Sequence, residues 1–359
     1  MDYLFLVILI ILLCIDIKYY SNFDKLKYID INQTNTLKGI CAIVIFIHHI
    51  SSEFNGILFS EWGFLSVCVF LFLSAFGLTR KWSKYNLKTA SDIFYVKIPQ
   101  LVAISVFTII YKVFYLIIIG EKITFKEIVV GALTGNKVLN WFFPVIIVLY
   151  TLFAISIVII EKMHIKNKRQ LVIINIIEIT IFSCLLFVFF IKGYILIHWL
   201  ISLYAFPLGV FYALEDINKY QKDGEKNKIL LISFLFLILM VLCYRVDANG
   251  IFIVQIVKMS WYYILSILIC IIVYYFIRYR CSKTVFKFVG KYSAEIILTQ
   301  NMAITMLRNE KIYINNNLWY FIFTVLIQIL LVIILSPIYR EIKKIVKIQG
   351  EKIIRRKDG

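Results

Sequence analysis

Long apolar runs separated by short polar segments make up most of the chain. A membrane-spanning helix needs about 20 mainly apolar residues, and about eleven runs approach this length. They cover residues 3–17, 38–52, 62–79, 95–119, 141–160, 171–191, 194–213, 229–244, 258–277, 292–307 and 318–339. The runs are continuously apolar and do not alternate with the period of two that membrane β-strands show. The pattern therefore predicts an all-α polytopic bundle of about eleven transmembrane helices.

Composition agrees with a chain solvated by lipid. Apolar and aromatic residues occupy 62% of the 359 positions, and the mean hydropathy is +0.87. Soluble proteins contain about 45–50% apolar residues even when glycine is counted, and so apolar a surface would aggregate in water. The seven cysteines form no Cys-x-x-Cys pair. They are predicted to be small buried residues, and no metal site is expected.

The basic residues indicate an orientation and not a nucleic-acid partner. The net charge is +18, but Lys and Arg lie in short clusters between the apolar runs. Alternate loops hold 30 of the 39 Lys and Arg residues, the intervening loops hold 8, and Lys112 lies within a run. Because cytoplasmic loops are enriched in Lys and Arg, we expect a multi-pass plasma-membrane protein with its N-terminus outside and its C-terminus in the cytoplasm.

The same pattern divides the chain into three segments. Residues 1–37 are predicted to form an N-terminal span and a cytoplasmic linker, residues 38–340 a membrane domain, and residues 341–359 a basic cytoplasmic tail. The tail is expected to lie along the anionic lipids of the inner leaflet. Residues 120–140 are expected to form an amphipathic outer loop.

The second run carries ionisable residues, which a membrane interior accommodates only at a cost. His49 follows Lys38 by eleven residues, or about 16 Å along a helix. Eleven helical steps return to within about 20° of the same face, whereas His48 points about 80° away. Lys38 and His49 therefore share a stripe, and Glu53 is expected to continue it.

This stripe suits the transfer of a group across the membrane. Lys38 would hold an anionic donor at the cytoplasmic end, and His49 would accept a proton from a hydroxyl nearer the outer side. Glu53 would orient the imidazole. The alternative from this run alone is that Lys38 anchors the topology and His49 pairs with a neighbouring helix.

The third run contains small residues at helical spacing, namely Gly63, Ser66, Ser74 and Gly77. Small residues allow helices to approach closely in lipid. Packing alone explains them, and the alternative is a smooth groove that admits the acyl arm of a donor.

These two runs and three later blocks resemble the acyltransferase-3 family of membrane acyltransferases, from about Lys38 to the last span. The matching residues are Lys38-Gly39 followed by His49; Gly63, Val67, Phe70, Leu73, Ser74 and Phe76; Trp141-Phe142 and Tyr150; Phe206-Pro207-Leu208-Gly209; and Gly290-Lys291-Tyr292-Ser293. Each block is short, and the specificity of the resemblance comes from their order along the chain. It favours the catalytic interpretation of His49.

The sequence departs from the family pattern at several positions. Gln300 stands where the family often has His, and Ile297 where it has Tyr. The family's paired cytoplasmic arginines before a proline are reduced to Lys97 ahead of Pro99. Arg80, just beyond the third run, is a replacement for the missing donor contact, or an ordinary cytoplasmic charge.

The resemblance implies a ten-helix acyltransferase core, here with one added span. It also implies acyl-CoA, most often acetyl-CoA, as donor, and a hydroxyl of a surface polysaccharide or lipid-linked sugar as acceptor. The residues assigned on this basis are His49 and Glu53 for catalysis; Lys38, Arg80, Lys97 and Ser74 for the donor; and Trp141, Tyr150, His198 and Gln300 for the acceptor.

Purely structural roles for the acceptor residues, and other functions for the protein, stay open at this point. Trp141 and Tyr150 would equally fit an interfacial aromatic belt, and His198 a polar contact at the outer interface. A transporter or flippase of glycan lipids should show broken spans in two related halves, and the sequence shows no such repeat. A non-catalytic scaffold would leave the register of Lys38 and His49 unexplained.

Overall fold

The computed structural model describes most of the chain as helix. It covers residues 2–15, 31–56, 59, 61–134, 138–165, 167–191, 197–218, 232–233, 235–236, 238–239, 252–278, 284–309 and 312–358. Within these residues the single β feature is an isolated antiparallel bridge between Arg308 and Tyr313. The all-α class predicted from the apolar pattern is confirmed.

The helices follow the apolar runs with short additions at the turns. They are α1 (Asp2–Ile15), α2 (Ile31–Ser52), α3 (Trp62–Tyr85), α4 (Leu87–Asp92), α5 (Ile98–Ile119), α6 (Phe125–Thr134), α7 (Phe142–Lys162), α8 (Gln170–Ile191), α9 (Ile197–Leu203), α10 (Ala205–Asn218), α11 (Phe252–Arg278), α12 (Thr284–Lys291), α13 (Ser293–Thr305) and α14 (Asn317–Asp358). A π-helical turn, Ile93–Lys97, joins α4 to α5 without a break.

Five helical stretches of the described chain are long and apolar enough to cross a bilayer. They are Trp62–Tyr85, Leu87–Ile119, Phe142–Lys162, Gln170–Val188 and Asn317–Arg356. The predicted run 194–213 is divided between α9 and α10, and most of run 229–244 lies outside the described residues. The count of about eleven spans therefore stays a prediction.

Helix α3 lies at the centre of the bundle, because it is apolar and buried around its whole circumference. It packs against α2 on one side and against α10 and α11 on others. Gly209 of α10 permits the closest of these approaches, since a Cβ there would overlap the carbonyl oxygen of Phe72. The glycine of the Phe206–Gly209 block thus has a packing role.

The N-terminal half of α2 crosses α12 at two facing glycines. A Cβ added to Gly39 would overlap the carbonyl oxygen of Phe286, and one added to Gly290 would overlap the carbonyl oxygen of Asn35. The two backbones are therefore in direct contact, as small residues allow in membrane helix pairs. This crossing fixes the end of α2 that carries Lys38.

The last helix, α14, continues from the apolar run into the basic tail. Its 42 residues correspond to about 63 Å at 1.5 Å per residue, about twice the thickness of a hydrocarbon core. Ion pairs at helical spacing, Lys344 with Glu341 and Lys347 with Glu351, each 3.7 Å long, favour the helix in its polar half.

The basic tail, expected on the lipid surface, packs against protein. A Cβ on Gly350 would overlap the carbonyl oxygen of Tyr95 in the π-helical turn. Five residues beyond Tyr95, the side-chain amide of Gln100 donates to the carbonyl oxygen of Lys343 in α14 at 2.7 Å. The tail therefore holds the π-helical turn, which carries Lys97, in place.

Candidate functional site

A large cavity lies where α2, α5 and α13 meet. Its volume is about 840 Å³, and its wall includes His49 of α2, Lys112 and Tyr115 of α5, and Asn301 of α13. Charged residues of the connecting turns stand at its edge, namely Glu53, Glu121, Lys122 and Arg308. Such a cavity offers polar groups to a ligand that approaches from this end of the bundle.

A second, smaller cavity lies on the other side of His49, towards α3. Its volume is about 60 Å³, and it is lined by Ile45, His48, His49, Gly63, Phe64, Val67, Asn140, Trp141, Phe142 and Ile297. Most of these side chains are apolar and buried. His49 lines both cavities, so its imidazole separates a small apolar space from a large polar one.

The two neighbouring histidines have different surroundings. The Nδ1–H of His48 donates to the carbonyl oxygen of Phe59 at 2.7 Å, because a carbonyl oxygen can only accept. Its ring also packs against Gly63, where an added Cβ would overlap it. The ring of His49 lies 4.9 Å from that of His48 and forms no hydrogen bond to any residue that the structure describes. His48 is thus tied to the fold, and His49 is available to a ligand.

Glu53 reaches the cavity but not the imidazole. Helix α2 is assigned as far as Ser52, and Glu53 follows in a last turn that closes where the backbone N–H groups of Asn55 and Gly56 donate to the carbonyl oxygens of Ser52 and Ser51. Its backbone carbonyl accepts a hydrogen bond of 2.8 Å from Arg308. No hydrogen bond joins its carboxylate to His49 in this part of the structure. The expected orienting role of Glu53 is therefore not seen.

Arg308 organises the edge of the large cavity, and the sequence alone did not single it out. Its guanidinium lies 4.2 Å from the centre of the Tyr320 ring and 4.8 Å from that of Phe54. It also donates to Asn317 at 2.9 Å. In the sequence, Arg308 could have been noticed because it is an arginine in one of the alternate loops that carry few positive charges.

Lysines from four elements converge at the opposite end of α2. Lys38 and Lys97 lie close enough for their charges to repel. Lys97 is also attracted by Asp92 and repelled by Lys81, Lys343 and Lys347. The carboxylates nearby are engaged, since Asp92 pairs with Lys81 at 2.5 Å and Glu295 with Lys343 at 3.2 Å. We call Lys38, Lys81, Lys97, Lys343 and Lys347 the lysine cluster.

The remaining predicted residues are spread over the bundle. Ser74 of α3 meets the hydroxyl of Tyr150 on α7, and Trp141 lines the small cavity. Arg80 lies with its guanidinium 5.7 Å from the centre of the Phe76 ring.

None of the residues predicted for the acceptor is seen in the wall of the large cavity: Trp141 lines only the small cavity, and Tyr150 lines neither. Gln300 is fully buried, and neither atom of its amide has a hydrogen-bond partner among the described residues. It lines neither cavity. His198 lies in the first turn of α9, but its side chain lies outside the described part of the chain.

Among the described residues, no group of three or more His, Cys, Asp or Glu side chains is arranged to hold a metal ion.

Comparison with known proteins identifies the family. The family model for an acyltransferase domain, that of the acyltransferase-3 family, matches residues 26–337. Searches of curated proteins and of solved structures found no match. The matched range includes α2, α3 and the residues that line both cavities. The chain therefore belongs to the acyltransferase-3 family and is a membrane acyltransferase.

Proposed function

We propose that this acyltransferase moves a short acyl group, normally acetyl, from cytoplasmic acyl-CoA to a hydroxyl of a surface polysaccharide or lipid-linked sugar. The observation that carries the proposal is the position of His49 in the walls of both cavities. The small apolar cavity takes the acyl group, and the large polar cavity takes the acceptor. The imidazole is then within reach of both reactants, which meet beside it.

In this scheme His49 is the general base. Its free ring nitrogen removes the proton from the acceptor hydroxyl as that oxygen attacks the carbonyl carbon of the thioester. The carbon–sulfur bond then breaks, and the imidazolium returns the proton to the departing CoA sulfur. An ester and a free thiol result. Transfer through an acyl-histidine would use the same ring and the same two cavities.

The lysine cluster supports a donor site at the other end of α2. Lysine ammonium groups act as point charges for phosphate, and Lys38 and Lys97 are assigned to the phosphates of CoA. The repulsion between them is relieved when an anion binds. From Lys38 the acyl arm has to extend about 16 Å along α2 to reach His49.

The proposed transfer needs the lysine cluster in the cytoplasm and the large cavity on the outside of the plasma membrane, as the distribution of basic residues predicts. In a chain whose native cysteines are replaced, a single cysteine at the exposed position Lys126 should react with an impermeant thiol reagent on intact cells. The matched control, a cysteine at the exposed position Lys88, should react only after permeabilisation. The reverse pattern would overturn the orientation.

The small cavity also predicts selection for short acyl chains. Its volume of about 60 Å³ leaves space for only a small group, such as the three heavy atoms of an acetyl group. One additional methylene is worth about 10–200-fold in discrimination when a pocket excludes it. We therefore expect acetyl-CoA to be strongly preferred over propionyl-CoA.

Replacing Val67 by alanine removes two methyl groups from the wall of this cavity. The ratio of kcat/KM for propionyl-CoA to that for acetyl-CoA should rise by about tenfold. Val69→Ala is the matched control, because Val69 is buried on the same helix but does not line the cavity. An unchanged ratio in Val67→Ala, with acetyl transfer retained, would place the acyl group elsewhere.

One assay tests the function as a whole. Membranes that contain the protein and its native glycans are supplied with labelled acetyl-CoA, and the label in glycan that mild alkali releases is measured. A sugar O-acetyltransferase produces alkali-labile label that is absent with His49→Ala membranes. A flippase or a scaffold would produce none, and that result would reject the proposal.

A further inference from the structure

Helix α5 presents a buried polar stripe to the bundle interior, formed by Ser105, Thr108, Lys112 and Tyr115. Three members have partners. The Ser105 hydroxyl donates to the carbonyl oxygen of Leu101 at 2.8 Å, the Thr108 hydroxyl lies 2.9 Å from that of Tyr339, and the Tyr115 hydroxyl lies 3.1 Å from that of Thr305. The fourth member, Lys112, forms no hydrogen bond or ion pair with any described residue.

Lys112 is almost completely buried, with 3% of its surface exposed, and it lines the large cavity. A buried charge is costly unless it is paired, and an ionisable residue within a membrane span is a functional candidate by default. No described residue supplies that partner, and a ligand in the cavity that Lys112 lines would supply it. A group that pairs with an ammonium is an anion.

The carboxylates that the structure describes in this cavity do not serve as that partner. Glu53 and Glu121 line its edge, where both are exposed, and neither forms an ion pair with Lys112. The other cations of the edge are Lys122 and Arg308. Arg308 already donates to protein oxygens. Among the residues that the structure describes, Lys112 is therefore the single buried charge in the wall of this cavity, and that charge is positive.

We propose that Lys112 binds an anionic group of the acceptor, a carboxylate or a phosphate, within the large cavity. The inference rests on the proposed function, which assigns this cavity to the acceptor. Lys112 lines the large cavity and not the small one, so it does not face the acyl group. His49 lines the same cavity as Lys112, so the anion belongs to the part of the acceptor that carries the hydroxyl to be acylated.

Acceptor kinetics test this assignment. Protein in lipid nanodiscs is supplied with labelled acetyl-CoA and oligosaccharides of equal length that are neutral, carry a uronate carboxylate, or carry a phosphate. We expect a lower KM for one or both anionic acceptors than for the neutral one, and the better of the two identifies the group. Lys112→Met should raise the KM for the anionic acceptor by about 30-fold or more and leave that for the neutral acceptor nearly unchanged.

Two variants control the result. Lys112→Arg keeps the charge and should keep the preference, and Lys122→Met, at the exposed edge of the same cavity, should change the KM far less. Equal KM values for neutral and anionic acceptors in the unmodified protein would overturn the assignment. An equal rise for both acceptors in Lys112→Met would also overturn it, because that result indicates a structural role.

A binding measurement separates this inference from the proposed function. With saturating CoA present to occupy the lysine cluster, glucuronate or inorganic phosphate should raise the Tm of the unmodified protein more than glucose does, and this difference should disappear in Lys112→Met. A Tm difference without any acyl transfer would keep the anion site and reject the function. Transfer to neutral sugars without a Tm difference would keep the function and reject the anion site.

Discussion

Replacing His49 by alanine should lower the rate of acyl transfer by about 10²–10⁴-fold, the usual contribution of general-base catalysis. The imidazole lies between the two cavities, and no other described side chain occupies that position. The loss should appear in kcat, because the ring acts on the proton that moves in the reaction and not on the binding of the CoA phosphates. Turnover with labelled acetyl-CoA, normalised to the amount of protein in the membrane, measures it.

His48→Ala is the matched control, since it removes a histidine from the same turn of α2. The Nδ1–H of His48 supports the turn at Phe59 and its ring fills the space beside Gly63. Its loss should therefore reduce the amount or the Tm of the protein and leave most of the turnover of the folded fraction. Near-normal turnover in His49→Ala together with none in His48→Ala would reverse the assignment.

Gly39→Ala should strongly reduce the amount of folded protein. The added Cβ would overlap the backbone carbonyl of Phe286, and backbone cannot move aside as a flexible side chain can. Overpacking typically costs about 1–3 kcal/mol, and we expect the upper end here because α2 and α12 have to separate. Size-exclusion profiles and the Tm of detergent-solubilised protein measure the effect.

The matched control for this variant is Gly77→Ala. Gly77 is also a helical glycine, one of the small residues of the third run, but a Cβ there would meet no atom within 4 Å. Alanine is favoured over glycine in a helix by about 0.5–1 kcal/mol, so stability should be unchanged or slightly higher. Equal losses in both variants would mean that the crossing at Gly39 is not the cause.

The position of His49 relative to Lys38 and His48 was predictable because it depends only on helical periodicity. The structure separates the two histidines as that periodicity requires, with His48 turned towards Phe59 and His49 towards the large cavity. The end of α2 was less predictable. Asn55 and Gly56 close the turn after Ser52, and Asn55 has a positive φ of 52°, so Glu53 lies in the last turn and its orienting role stays a prediction.

The remaining features of the site depend on contacts between distant segments. Runs that are apolar on every side give no indication of which face meets which neighbour, so neither cavity was visible in the sequence. The lysine cluster brings Lys343 of the tail to Lys97, and the charge pattern alone identified these residues only as cytoplasmic. Lys112 was recognised as an isolated charge within a span, but its position beside His49 required the packing of α5 against the bundle.

The crossing of Gly39 and Gly290 also constrains how the protein is made. The two glycines are separated by 251 residues in the chain. When α2 leaves the ribosome, it carries Lys38 and two histidines into the membrane without the helix that will pack against it. The segment that holds the reactive imidazole therefore acquires its final neighbours late in synthesis, after most of the other helices have been inserted.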